Sequence, residues 1–194
     1  VKRGAAAPYA VWDAGACSAD IVIDGLKVDK RNGSTGWTGV RASLGKSAGK
    51  WGFEITYTGT QIGGPSRDLY EVAGLASALW PVGLYYPGGD THGIGMNATS
   101  PFWHIYNNGF VLPTSNGAGD WNFGDVATFL WDADTGDLTV KRNGALSSTK
   151  SLPAFAGVEM FPAVGLYTAS SGCIANFGPL QYPEAGYNDG WYAE

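Results

Sequence analysis

An all-β chain folded as a two-sheet antiparallel β-sandwich is what this sequence predicts, on three observations. Trp51, Phe53, Ile55 and Tyr57 alternate with Gly52, Glu54, Thr56 and Thr58, the period of two that puts each set on one face of a strand. Glycine supplies 30 of 194 residues, about twice the usual ~7%, and charged residues only 15%; this composition favours many turns over long helices. Other patterned runs follow at short spacing with turn signals between them. At 44% hydrophobic and 13% aromatic the chain is globular, and its length suits one domain with a sizeable core.

In chain order, residues 1–19 are Ala-rich without clear periodicity, and Tyr9, Val11 and Trp12 mark an N-terminal arm or edge strand. Ile21-Val22-Ile23, Asp24-Gly25 and Leu26-Lys27-Val28 read as a hairpin turning at Asp-Gly. Lys30-Arg31-Asn32-Gly33 recurs as Lys141-Arg142-Asn143-Gly144; without a flanking period these are two hairpin turns, not a structural repeat. Residues 37–44 form the next strand. The Trp51 strand follows, with its Glu54, Thr56 and Thr58 face expected in solvent. Residues 61–68 are a loop and 69–75 a strand. Residues 76–122 mix turn residues with Trp80, Tyr85, Tyr86, Phe102, Trp103, Tyr106 and Trp121, with short strands expected near 82–85 and 103–106. The sandwich is placed at 20–183. The tail, 184–194, carries Tyr187, Trp191 and Tyr192 and is expected to pack on the body or on a neighbour.

The most informative stretch is FGDVATFLWDADTGDLTVKRNG, residues 123–144. Both faces of its first half are apolar, so it reads as a strand covered on two sides. Asp132-Ala133-Asp134-Thr135-Gly136 turns the chain, a second strand leaves through Leu138 and Val140, and Asn143-Gly144 is a strong two-residue hairpin signal. This stretch resembles the central motif of the SPRY domain family. Gly49-Lys50-Trp51-Gly52-Phe53-Glu54-Ile55, Phe161-Pro162-Ala163-Val164-Gly165-Leu166-Tyr167 and Ala175-Asn176-Phe177-Gly178 resemble that family's early, late and closing strands, in the right order. Val72-Ala73-Gly74-Leu75 is similar to a further strand of the family. The resemblance spans residues 35–183 and implies a SPRY or concanavalin A-like jelly roll. The Gly-, Ser- and Thr-rich variety it most resembles is frequent in bacteriophage proteins.

Several chemistries are excluded on residue pattern. His92 and His104, the only imidazoles, sit in no nucleophile-elbow or protease signature. Glycoside hydrolysis needs a carboxylate pair across the scissile bond; on the strand Glu54-Ile55-Thr56-Tyr57-Thr58 the second and third acids are threonines. Asp132-x-Asp134-x-Gly136 starts like a calcium loop but has Asn143 where the closing Glu belongs. Gly45-Lys46-Ser47 lacks the preceding P-loop glycine, since position 40 is Val40. No metal or cofactor is expected. Cys17 and Cys173 are too few for a disulfide framework; Cys173 shares strand parity with Ala175 and Phe177 and reads as a core residue, and one bridge to Cys17 stays open. A net charge of −5 argues against nucleic acid. No apolar run of about 18 residues argues for membrane insertion, and Pro8 interrupts the only leader-like start.

What remains is recognition. The resemblance implies a non-catalytic binding module that grips protein segments, or in viral relatives surfaces, with loops at one rim. The residues themselves nominate Arg67, Asp68, Trp80, Tyr85, Tyr86, His92 and Trp121 as ligand-binding, because Trp and Tyr offer large contact area and a polar handle. The competing reading is that most of these rings fill the core. The expected role is a virion component of a bacteriophage particle, such as a capsid decoration, fibre or tail-associated protein. Its partners would be other virion proteins or host-surface glycan or protein, and it would suit a homo-oligomer. A lectin-like carbohydrate-binding module is the alternative, and a glycan hydrolase using Glu54 or Glu71 the least favoured reading.

Overall fold

The computed structural model describes residues 8–31, 36–58, 71–97, 104–112, 122–169 and 171–193. The strands, in chain order, are β1 (Trp12–Cys17), β2 (Ile21–Asp24), β3 (Lys27–Lys30), β4 (Thr38–Ala42), β5 (Lys50–Tyr57), β6 (Glu71–Ser77), β7 (Gly93–Asn97), β8 (His104–Asn107), β9 (Phe110–Leu112), β10 (Val126–Asp132), β11 (Asp137–Arg142), β12 (Ala145–Ser151), β13 (Met160–Leu166) and β14 (Gly172–Asn176). They build two seven-stranded antiparallel sheets, ordered β1-β4-β13-β6-β7-β8-β9 and β12-β11-β10-β5-β14-β3-β2. The helical content of the described residues is one 3-10 turn, Pro153–Phe155. The all-β antiparallel sandwich is thus the observed architecture.

The core lies between the sheets. Phe53 and Phe129 face each other in the β5–β10 ladder and stack with centroids 4.8 Å apart and planes 6° apart; Trp51 and Trp131 pair one step along. Val40, Leu75, Ile94, Met96, Ile105 and Val164 meet them from the other sheet. The central stretch folds as its pattern requires. Asp132 accepts the Asp134 and Thr135 amides, and Asn143 and Gly144 adopt φ of 48° and 81°, the pair a tight I′ hairpin demands. Asp125 locks this hairpin to the strand entry. Its carboxylate accepts from the Asn122 amide, Arg142 Nε and Asn143 Nδ2 at 2.7, 2.8 and 2.7 Å, while Asn143 Oδ1 receives the Val126 amide.

Three local expectations are corrected, and the open question of a Cys17–Cys173 bridge is answered. The β2–β3 turn is Gly25-Leu26, because Asp24 pairs with Lys27 and Gly25 takes the positive φ of 60°. Residues 82–85 form turns rather than a strand, since they belong to a loop lying across a sheet that is already complete. Both cysteines are free thiols; burial pushes the Cys173 thiol well up. Glu54, expected in solvent, is 1% exposed. Asn32, Gly33 and residues 61–68 lie outside the described residues.

The burial of Glu54 has a clear cause: on each sheet, chain outside the strands covers part of the outer face. Chain beyond Phe177 crosses the outer face of β5 and β10. A Cβ at Gly52 would sit 2.6 Å from Leu180 Cδ1, and the Gln181 and Tyr182 amides each donate to the Glu54 carboxylate at 2.8 Å. The chain then returns to the sandwich end, where Trp191 enters the core against Phe53, centroids 5.6 Å apart, and its indole N–H donates to Leu44 O. Ala10 N donates to Trp191 O and Tyr9 bridges Tyr192, so the two chain ends clasp. Residues 78–92 cover the outer face of the other sheet. Gly39 stands opposite Gly165, and Gly74 stands between Ala163 and Gly95. A Cβ at Gly39 would run into the Trp80 ring, one at Gly165 would sit 2.9 Å from Tyr86 Cα, and one at Gly95 would strike the Pro87 carbonyl. Glycine weakens a strand and marks close approach of other backbone; here that backbone is the 78–92 loop.

Candidate functional site: an aromatic rim and its cleft

Strand pairing brings the site together. Thr38 at the start of β4 pairs with Leu166 at the end of β13, so Trp37 and Tyr167, each one residue outside its strand, stand side by side with ring centroids 5.2 Å apart. Tyr86 descends from the 78–92 loop onto Trp37 at 4.5 Å and reaches Tyr106 of β8 at 5.4 Å; His104 continues the row at 5.9 Å. All these rings are half-buried. Burial, with Tyr106 beside it, pushes the Tyr86 phenol above its ordinary value, and burial does the same to Tyr106. Both phenols are therefore neutral hydroxyls at neutral pH.

The 78–92 loop is held at several points. Trp80, 3% exposed, packs with Ala76 and Ala163. Ser18 Oγ donates to Val82 O at 2.6 Å. The Gly109 and Asn108 amides donate to Gly88 O and Asp90 O. Asp90 accepts the His92 amide at 2.9 Å and sits 3.0 Å from its Nδ1. On this anchored loop Leu84 and Tyr85 stand 68% and 46% exposed, with Leu79 exposed farther back. Phe110, exposed at the β8–β9 turn, follows Gly109, whose amide the loop also holds.

Between the β1–β2 turn, Trp37 and this loop lies a cleft of ≈ 460 Å³, lined by Ser18, Asp20, Gly36, Trp37, Gly83 and Leu84 among others. Beside it Lys30 is buried and donates to Gly36 O and Tyr167 O; burial lowers its ammonium pKa against the opposing pull of Asp20.

Of the residues nominated from sequence, Tyr85, Tyr86 and His92 share this loop, Tyr86 in the ring row and Tyr85 exposed. Trp80 is the loop's buried anchor, because the glycine surface beneath it leaves space for the ring. Arg67, Asp68 and Trp121 lie outside the described residues. Sequence reading missed Trp37, Tyr167, Asp20 and Leu84. The two rings sit just past strand ends, where alternation carries no signal, and only the β4–β13 register puts them together. Among the described residues no group of three or more His, Cys, Asp or Glu is placed to hold a metal, and no helix is long and apolar enough to cross a membrane.

No protein-family model and no curated protein matches the sequence. Solved structures do match. A human SPRY domain superposes with TM-score 0.64 at 15% identity, over 81% of this chain and 94% of that one. The PSpry domain of TRIM65 gives 0.66 at 12%, over 88% and 93%, and the SPRY domain of human HERC1 gives 0.64 at 17%, over 84% and 96%. The chain has the fold that these SPRY domains share.

Proposed function

We propose that this chain is a non-catalytic binding module whose partner is a protein, gripped by the rim formed by Trp37, Leu84, Tyr85 and Tyr86. One observation carries the reading: exposed Leu84 and Tyr85 project from a loop that is anchored along its length. Ordering a loop on binding opposes affinity, so a pre-ordered loop with large exposed side chains is what a recognition surface requires. Tyr offers amphipathic area with few rotamers to freeze. The likeness to SPRY domains supports the scaffold for such a role, and the residues supply the surface.

Photo-cross-linking tests this. Benzoylphenylalanine is placed at Tyr85 or, as a control, at Leu146, which is exposed on the far edge strand β12. Incubated with the native milieu of the chain, the Tyr85 variant should form discrete protein adducts and the Leu146 variant should not. Adducts spread equally over both positions, or absent from Tyr85, overturn the rim.

The finer placement as a component of a bacteriophage virion, meeting other virion proteins or a host surface, rests on the resemblance of the sequence to the Gly-, Ser- and Thr-rich SPRY-like domains frequent in bacteriophage proteins. Co-purification at fixed stoichiometry with intact particles tests it. A lectin-like reading draws on Trp37 and Asp20 lining one cleft, since an aromatic ring and an acceptor in one cleft suit a sugar ring; a glycan array decides it.

A further inference from the structure

Resting on the reading of the rim as the binding face, we propose that the cleft between Asp20 and Leu84 receives the guanidinium or ammonium group of an arginine or lysine side chain presented by the partner protein. The inference comes from counting what the cleft has left to offer. Ser18 Oγ is used twice, donating to Val82 O and accepting the Gly39 amide at 2.9 Å. Thr38 Oγ1 donates to Leu166 O. Gly36 O is taken by Lys30. Asp20 is different. Its backbone carbonyl accepts the Arg31 amide, but its carboxylate makes no hydrogen bond and no ion pair among the described residues. It feels Lys30 only through space, and the ammonium of Lys30 is buried on two carbonyls.

The cleft therefore holds an acceptor-only carboxylate and the half-buried Trp37 indole in one lining. A carboxylate has up to four lone-pair positions and no proton to give, so it selects a group rich in donors. An indole attracts a cation through its π-system, and tryptophan is the strongest of the aromatic partners. A sugar would ask for donors as well as acceptors, and of the polar groups named here only the Trp37 N–H is a donor left without a partner among the described residues. Leu84 in the lining, and exposed Tyr85 next to it in the chain, supply apolar area for the aliphatic stem and flanking residues, and the chain's net charge of −5 favours the approach of a basic segment.

The test is an NMR titration that follows the Trp37 indole N–H signal. The probe is acetyl-Gly-Arg-Gly-amide; its controls are the citrulline peptide, which keeps the shape and loses the charge, and a chitobiose sample. The arginine peptide should shift the signal saturably, with the citrulline peptide about tenfold weaker, and D20N should abolish the difference between them. D20N is close to isosteric and touches a carboxylate with no internal partner, so the fold survives; Trp37→Phe, which lacks the indole reporter and is followed instead on the backbone amide signal of Leu84 in the cleft lining, should weaken both peptides without erasing the charge preference. Equal affinity for both peptides, an unchanged arginine response in D20N, or saturation by chitobiose alone overturns the assignment. Cross-linking at Tyr85 that persists in D20N, with no arginine response, overturns the cleft assignment and leaves the rim standing. Loss of cross-linking at Tyr85 in the unaltered chain overturns both.

Discussion

Replacing Glu54 with Gln tests whether one buried carboxylate holds the C-terminal segment on the sandwich. Oε1 accepts from Tyr182 N at 2.8 Å and Thr128 Oγ1 at 3.3 Å. Oε2 accepts from Gln181 N and Asn176 Nδ2, both at 2.8 Å. A glutamine amide must turn its NH₂ toward one of these pairs. The less costly choice faces Thr128, whose hydroxyl can rotate to accept, and leaves the Tyr182 amide without a partner. An unsatisfied buried donor costs roughly 1–3 kcal/mol, and two bonds that drop from charged to neutral acceptor lose about 0.5–1.5 kcal/mol each. The sum runs from about 2 to about 6 kcal/mol, with a middle near ~4, or roughly a thousandfold in the opening equilibrium and at least about thirtyfold. Amide hydrogen exchange reads this directly. Gln181 and Tyr182 should exchange at least about thirtyfold, and at the middle of the range roughly a thousandfold, faster, while amides in the β10–β11 ladder change only as far as global stability falls. If Gln181 and Tyr182 keep their protection, the carboxylate is not what fastens the segment, and the packing of Leu180 on Gly52 must suffice.

Three further perturbations follow from the same geometry. Trp191→Ala empties a fully buried site between Trp51 and Phe53 and should cost about 3–5 kcal/mol in urea unfolding; a loss below ~1 kcal/mol would mean that the tail is not part of the core. Burial works to raise the Asp125 carboxyl, but the Asn122 amide, Asn143 and Arg142 together hold it below its ordinary range. A folded pKa below the unfolded value of about 3.9 gives stability that is fully present above that value and lost as pH falls through the folded pKa; D125N should therefore lower Tm at pH 7 and flatten its fall below pH 4, and an unchanged acid limb refutes the network. Gly165→Ala puts a methyl group 2.9 Å from Tyr86 Cα; overpacking of this kind costs roughly 1–3 kcal/mol, so the 78–92 loop should shift and cross-linking at residue 85 fall, whereas undiminished cross-linking would mean that the rim does not depend on the glycine surface.

The sandwich was legible because its signals are local. Trp51 to Tyr57 alternate, Asn143-Gly144 permits one kind of turn, and the apolar residues of β10 on both faces announce a covered strand. The covering itself was not legible. Glu54 looks like the polar face of an ordinary half-exposed strand, and its burial comes from amides at Gln181 and Tyr182, more than 120 positions later in the chain. Trp80 and Tyr86 look alike in a turn-rich run, yet one anchors the loop and the other builds the rim. What separates them is which strand residues lie beneath, and that depends on a register between β4, β13, β6 and β7 that no window along the sequence contains. Trp37 and Tyr167 are 130 residues apart and meet for the same reason.

The glycines on the outer face connect scaffold to site. An interior strand glycine is destabilising by roughly 0.5–1 kcal/mol relative to alanine, and this sheet sets Gly39 against Gly165 and Gly74 against Gly95. Such a cost persists when something is gained over it. Here the gain is a surface smooth enough for residues 78–92 to lie flat, with Trp80 in the depression at Gly39 and Pro87 over Gly95. A loop so docked keeps Leu84 and Tyr85 exposed and fixed together, and leaves the cleft beside Asp20 open. The strands thus determine that the loop is rigid, and the loop's own side chains determine what it can hold. Changes at Leu84, Tyr85 or Asp20 should alter the partner and spare the fold, whereas changes at Gly39 or Gly165 should disturb both, because they act on the surface that keeps the loop in place.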